Sequence, residues 1–256
     1  MARYALLILP SANRVYAGAS VALTQAELAL FGEAVLGGRV GEAAAEVIGG
    51  VPYVTFEADL DPGRDAPFLA GMSSVYALFR VEGDLLRPVE LRPPGQLDDD
   101  LLTIQKYPGK TNEQFTRLLL NVTLLSSAFA GEMLERRFTV LDPLCGRGTT
   151  LNAALWLGFD AAGVEVDQKD VEAYATFIKT WLQRKKVKHH ADYDGPVRRD
   201  GKVVARRLQL RLAADRADYK AGLTQHLVQV EALVKAETLV QPLLVLTHQR
   251  PAAWPL

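Results

Sequence analysis

Cysteine is almost absent: Cys145 is the one thiol in 256 residues. That excludes an internal disulfide and a cysteine-built zinc cluster, and it makes a reducing, cytoplasmic setting the expectation. The chain also lacks a charge surplus. Its formal net charge is −1, so bulk electrostatics make no case for a polyanionic partner. No signal peptide is readable, because the apolar run after Met1-Ala2-Arg3-Tyr4 stops at Pro10. No later stretch holds ~20 unbroken apolar residues, so no membrane span is expected. His189-His190 has no partner at metal-ligand spacing, and no metal is assigned. What remains is a globular composition, 49% apolar and 23% charged, on a chain long enough to bury a core without crosslinks.

Residues 1–92 read as alternating short elements. Tyr4–Leu9 is a buried strand closed by a proline. Thr24-Gln25-Ala26-Glu27 has the form of a capping box, followed by Leu28, Leu30, Phe31 and Val35 at helical spacing up to Gly37-Gly38. Strands at 44–48 and 52–56, a helix near 66–70 and strands at 75–81 and 85–91 complete a small α+β domain of ferredoxin-like type. Residues 93–110 read as a linker, with Pro93-Pro94-Gly95, the acidic run Asp98-Asp99-Asp100 and a turn at Pro108-Gly109. Residues 111–256 read as a second, α/β domain. It opens on a helix started by Thr111-Asn112-Glu113-Gln114, with Phe115, Leu118, Leu119, Val122 and Leu125 as its apolar stripe. The next 50 or so residues alternate strand, glycine-rich turn and helix, the rhythm of a parallel sheet.

The chemistry-bearing motif lies there. Phe138–Leu141 is a strand, Asp142-Pro143-Leu144-Cys145-Gly146-Arg147-Gly148-Thr149-Thr150 the turn after it, and Leu151–Leu157 a helix stopped by Gly158. Glycines at such a turn let backbone approach a ligand that any Cβ would keep away, and the following helix presents free N–H groups. A second strand, Ala161–Asp167, ends in Glu165 and Asp167 about 20 residues further on, where a nucleoside ribose needs an acceptor. The spacing is not that of a dinucleotide fingerprint, since leucine stands at 151. An aspartate ending the first strand also suits a cationic amino-acid end better than phosphates. Cys145 reads as a small filler of the loop, or less well as a nucleophile without an evident base.

The patterns D-P-x-C-G-x-G-T and G-x-E-x-D resemble those of the S-adenosylmethionine (SAM) dependent nucleic-acid methyltransferases, especially the THUMP-type tRNA guanine-N2 enzymes and more loosely the amino-methylating DNA methyltransferases. The resemblance covers roughly residues 104–190 and extends weakly to the N-terminal module. It implies a Rossmann-like methyltransferase sheet and SAM as cofactor. It places Asp142, Pro143, Cys145, Gly146, Gly148 and Thr149 around the cofactor, with Asp142, Gly146 and Gly148 at its methionine end. Glu165 would take the ribose hydroxyls, with Asp167 beside it. The segment Lys106–Thr111, including Lys110, would close over the methionine. The implied substrate is an exocyclic amine of a nucleic-acid base, RNA ahead of DNA and tRNA guanine N2 first.

Two features bear on partner and activity. Between Arg184 and Arg207 stand nine lysines and arginines against Asp192, Asp194 and Asp200. This basic stretch reads equally as a solvated hairpin or as a phosphate-binding nucleic-acid surface. The related enzymes place an [Asp/Asn]-Pro-Pro-aromatic motif after the fourth strand, to hold the amine and stack the flipped base. Here the expected fourth strand, Leu243–Thr247, runs into His248-Gln249-Arg250-Pro251-Ala252-Ala253-Trp254-Pro255-Leu256, without acid or asparagine. No catalytic residue is assigned, and Glu231 is the only candidate adenine contact. The alternative expectation is therefore a C-terminally incomplete, inactive SAM- or RNA-binding remnant.

Overall fold

The computed structural model describes residues 1–11, 14–92, 95, 97–199, 202–212, 224–230 and 245–247. Within them the chain is α/β, with one antiparallel sheet, one mixed sheet and their helices. No helix among the described residues is long and apolar enough to cross a membrane. Two compact units emerge: Met1–Pro94 with Thr111–Arg136, and Gly95–Lys110 with Arg137–Leu256.

The first unit runs β1 (Ala2–Ile8), α1 (Arg14–Ala34), β2 (Ala44–Ile48), β3 (Val51–Ala58), α2 (Pro62–Ala70), β4 (Val75–Glu82) and β5 (Leu85–Val89). Its sheet order is β2-β3-β1-β4-β5, with every pairing antiparallel. Period-two alternation places Tyr4, Leu6 and Ile8 on one face of β1. There Leu6 lies between Val54 and Leu78, and Tyr4 stacks on Phe56 at 5.7 Å. Leu28 and Phe31 of α1 and Leu69 of α2 are fully buried with them. α1 starts ten residues ahead of the expected capping box. Thr24 sits mid-helix, its hydroxyl bonded back to the Ser20 carbonyl at 2.7 Å, which a threonine does as readily inside a helix as at its start.

Residues 111–136 join this unit and not the second one, because of what α4 (Glu113–Leu125) buries. Of the expected stripe, Leu125 is buried while Phe115, Leu118, Leu119 and Val122 stay half-buried; the rest of the buried face is Thr116, Arg117, Leu120, Asn121 and Leu124. Polar groups lead it inward. The Glu27 carboxylate, fully buried on α1, accepts from the Ser73 N–H (3.0 Å), the Ser73 hydroxyl (2.7 Å) and the Asn121 amide (2.7 Å). Asn121 also donates to the Gly71 carbonyl at 2.9 Å, and Arg117 to the Met72 carbonyl at 2.6 Å. A periodicity count scores Asn and Arg as solvent-facing, and here each has a fixed acceptor inside.

The second unit holds α3 (Asp100–Thr103), β6 (Thr139–Asp142), α5 (Thr149–Trp156), β7 (Asp160–Glu165), α6 (Gln168–Arg184), β8 (His189–Arg199), β9 (Lys202–Leu212), β10 (Thr224–Val230) and β11 (Val245–Thr247). Sheet order is β11-β6-β7-β10-β9-β8. β6, β7 and β10 are parallel; β9, β8 and β11 are antiparallel to their neighbours. The basic stretch is thus largely a hairpin, in which Leu208, Leu210 and Leu212 are buried while Arg211 is exposed.

The supposed linker is structural. Leu101 and Leu102 are buried, and the three successive aspartates each take up a donor from α5, from α6 or from Lys185 just past it. Trp156 Nε1 donates to Asp99 at 2.7 Å, Trp181 Nε1 to Asp100 at 3.0 Å, and Lys185 pairs with Asp98 and Asp100. A Cβ on Gly95 would lie 1.8 Å from the Trp156 carbonyl oxygen, so this glycine serves close packing and not chain flexibility.

Glu27 generates a test with a definite sign. Burial pushes its carboxyl above the ordinary range, against the pull of Asn121, Ser73 and the Arg117 charge. A raised folded-state value contributes stability that is complete below the unfolded value, ~4.3, and is lost as pH rises through the folded value. Glu27→Gln, which cannot ionise, should therefore gain on the native protein as pH is raised above that range. Glu27→Ala strands the Ser73 N–H and the Asn121 amide and should cost about 2–5 kcal/mol. Urea unfolding at a series of pH values measures both, and a gap between native and Gln proteins that ignores pH would remove the assignment.

Candidate functional site

The glycine turn forms as its residue types require. β6 delivers Asp142, 4% exposed, whose Oδ1 accepts the Leu144 N–H at 3.0 Å and starts the turn. The Cys145 N–H donates to the Val164 carbonyl at 3.0 Å, tying the turn to β7. Gly146 and Gly148 hold φ values of +52° and +74°, in the left-handed region. Gly148 then caps α5, and Thr149 is its first residue.

The two glycines differ in what surrounds them. A Cβ on Gly148 would come within 2.4 Å of the Tyr174 ring, itself buried and bonded to Asn152 at 2.9 Å. A Cβ on Gly146 would meet nothing within 4 Å. Gly148 therefore answers to the protein's own packing, whereas the space beside Gly146 is open.

Glu165 ends β7 directly beside the turn. Its Oε2 accepts the Gly146 N–H at 2.8 Å, and its Oε1 accepts the N–H groups of Val166 (2.7 Å) and Asp167 (2.8 Å). A carboxylate offers about four lone-pair positions, so roughly one remains for a ligand. Asp167 caps α6, accepting the Lys169 N–H at 2.8 Å. Cys145 is 6% exposed and lies beneath the turn: a Cβ on Gly163 would sit 2.7 Å from its Sγ and 2.9 Å from Leu151 Cδ1. In dinucleotide folds a third glycine on the helix permits close helix–strand packing. Here the glycine is on the strand, and Leu151 on the helix fills the place.

Three carboxylates stand near the Cys145 thiol, one of them, Asp170, paired with Arg147. The Cys145 thiol is pushed far up, first by burial and then by the charges of Asp142, Glu165 and Asp170. Burial and charge both oppose the thiolate form that a nucleophile needs. The nearby cation, Arg147, donates from Nε to Asp170 at 2.7 Å and lies over the Tyr107 ring, 4.7 Å from its centroid.

Asp142, Pro143, Cys145, Gly146, Gly148, Thr149, Glu165 and Asp167 thus come together across one turn and one strand end. The Lys110 ammonium donates to the Leu102 carbonyl at 2.7 Å. From that segment it is Tyr107 that reaches the turn, its hydroxyl 3.3 Å from Thr149 Oγ1. The participation of Tyr107, Arg147, Asp170 and Tyr174 carries no local sequence signal, because each pairing spans more than 20 residues. Glu231 and the segment His248–Leu256 lie outside the described residues. No protein-family model matches the chain, and no curated protein sequence matches it significantly.

The glycines order themselves by stability cost. Gly148→Ala should lose about 2–4 kcal/mol, from positive φ and the Tyr174 overlap together. Gly146→Ala should lose about 1 kcal/mol, from φ alone. Thermal unfolding of both variants decides this, and equal losses would mean that the space beside Gly146 is not open.

Proposed function

We propose that the second unit binds SAM and that the chain belongs with methyltransferases acting on an exocyclic amine of a nucleic-acid base, RNA ahead of DNA and tRNA guanine N2 first. The observation that carries this is the acid-ringed open turn. Asp142 and Glu165 bring two carboxylates to the turn, Asp170 being paired with Arg147, and beside Gly146 there is room for a ligand. A phosphate is disfavoured beside those two carboxylates, and a sulfonium or ammonium group is favoured. Asp142 and the turn would hold the methionine end, and the remaining acceptor position of Glu165 a ribose hydroxyl. SAM, when bound, supplies an electrophilic methyl group. The β6-turn-α5-β7 arrangement with parallel β10 supports a Rossmann-like reading, and the order β2-β3-β1-β4 with helices after β1 and β3 supports a ferredoxin-like one.

One observation favours the inactive alternative. β11 stands beside β6 but runs antiparallel, pairing Thr247 with Thr139 and Val245 with Leu141. The chain therefore leaves β11 at the end of β6 opposite the glycine turn. In the related enzymes the amine-holding motif follows a strand that ends beside the cofactor. For nucleic acid, Lys185 is committed to Asp98 and Asp100. Arg184, Lys186 and Lys188 of the basic stretch are exposed, and the side chains at 193–206 lie outside the described residues.

Isothermal titration tests the cofactor: SAM or its demethylated product should bind and NADH should not. Gly146→Val should abolish binding by filling the open space. Glu165→Ala should weaken it at least tenfold, through one charge-assisted bond worth roughly 1.5–3 kcal/mol and a loosened Gly146. Tight NADH binding without a SAM response would overturn the reading. Methyl transfer from labelled SAM to total tRNA or genomic DNA, compared with the Gly146→Val protein, separates active from inactive; no transfer is expected, since the sequence after Leu243–Thr247 has no acid or asparagine to orient an amine.

A further inference from the structure

We infer that Arg147 and Asp170 form a latch that holds Tyr107 over the start of α5, so that residues 103–109 gate the glycine turn. The gating role rests on the cofactor reading above; the latch does not. Between the buried Leu102 and the anchored Lys110, residues 103, 104, 106, 108 and 109 are exposed, and Ile104 shows 53% of its surface. Tyr107 turns inward from this strap. Its hydroxyl meets Thr149, and one ring face is covered by the Arg147 guanidinium, which Asp170 pins from the first turn of α6. A planar cation on a ring and a carboxylate on its Nε fix the guanidinium in two directions.

Two observations make this a closure able to open. The ion pair is about one-third exposed on each side (34% and 31%), so water and salt weaken it. Gln105 Oε1, on the same strap, is buried with no hydrogen-bond partner among the described residues, a cost of the closed position that opening relieves. Gly109, at φ +83°, supplies a left-handed residue beside the rigid Pro108 at which the strap can bend.

Hydrogen exchange on the ligand-free chain tests the latch. Arg147→Ala and Asp170→Asn should each speed exchange across 103–110 about tenfold, the double variant should add little more, and β6 and β7 should be unchanged. Arg147→Lys should restore part of the protection, through charge without the stacked plane. Unchanged exchange at 103–110, or equal acceleration in β6 and β7, would overturn the latch. Stopped-flow binding of SAM tests the gate: both variants should release it about tenfold faster with a smaller change in Kd, and 1 M salt should speed release from the native protein but not from Arg147→Ala. Equal rates would overturn the gate with SAM binding intact, whereas a native protein that binds no SAM removes gate and cofactor reading together and leaves the latch to the exchange result.

Discussion

The candidate site depends on how closely the 142–149 turn approaches β7. Cys145 and Gly146 both give their N–H groups to that strand, one to the Val164 carbonyl and one to the Glu165 carboxylate. The approach is possible because Gly163 has no side chain, which leaves room for the Cys145 sulfur and Leu151. Once the turn is held there, Gly146 has to adopt positive φ, α5 starts at Thr149, and four acids of the site are grouped around one loop. That grouping of carboxylates is thus a consequence of backbone packing. It also surrounds the Cys145 thiol, whose ionisation is opposed first by burial and then by the neighbouring carboxylates.

The two units are each closed by a segment that reads as something else in one dimension. Residues 111–136 look like the opening of the second domain, yet Arg117 and Asn121 on α4 meet Glu27 and the 71–73 carbonyls, and that buried network makes them part of the first unit. Residues 95–110 look like a linker, yet Asp98, Asp99 and Asp100 collect Lys185 and the indoles of Trp156 and Trp181. In both cases polar side chains do the joining, and a buried polar group with its partners in place is costly to leave unmade.

Glu165 is held by the backbone before any ligand arrives. Three of its acceptor positions are taken by backbone N–H groups that shape the turn, so a ribose hydroxyl would add one bond to an already ordered carboxylate. A preorganised acceptor loses little freedom when the ligand arrives. Arg147, the next residue after Gly146, lies over the Tyr107 ring and pairs with Asp170, each side of that pair about one-third exposed.

Much of this protein was legible without coordinates. The glycine turn, its strand and helix, the acid-ended second strand, most of the N-terminal strands and the hairpin of the basic stretch follow from local rules: positive φ needs glycine, a period of two needs a strand, and Gly158 stops a helix. What sequence could not determine is where non-local polar partners sit. Spacing counts Asn121, Arg117 and Asp98–Asp100 as solvent-facing, because their burial depends on acceptors and donors far away along the chain. For the same reason the unit boundary, the inward turn of Tyr107 and the direction of β11 were decided only by the tertiary structure. Local periodicity encodes which residues shun water, whereas pairing of hydrogen-bonding groups across 20 to 100 residues is fixed only when the chain has folded.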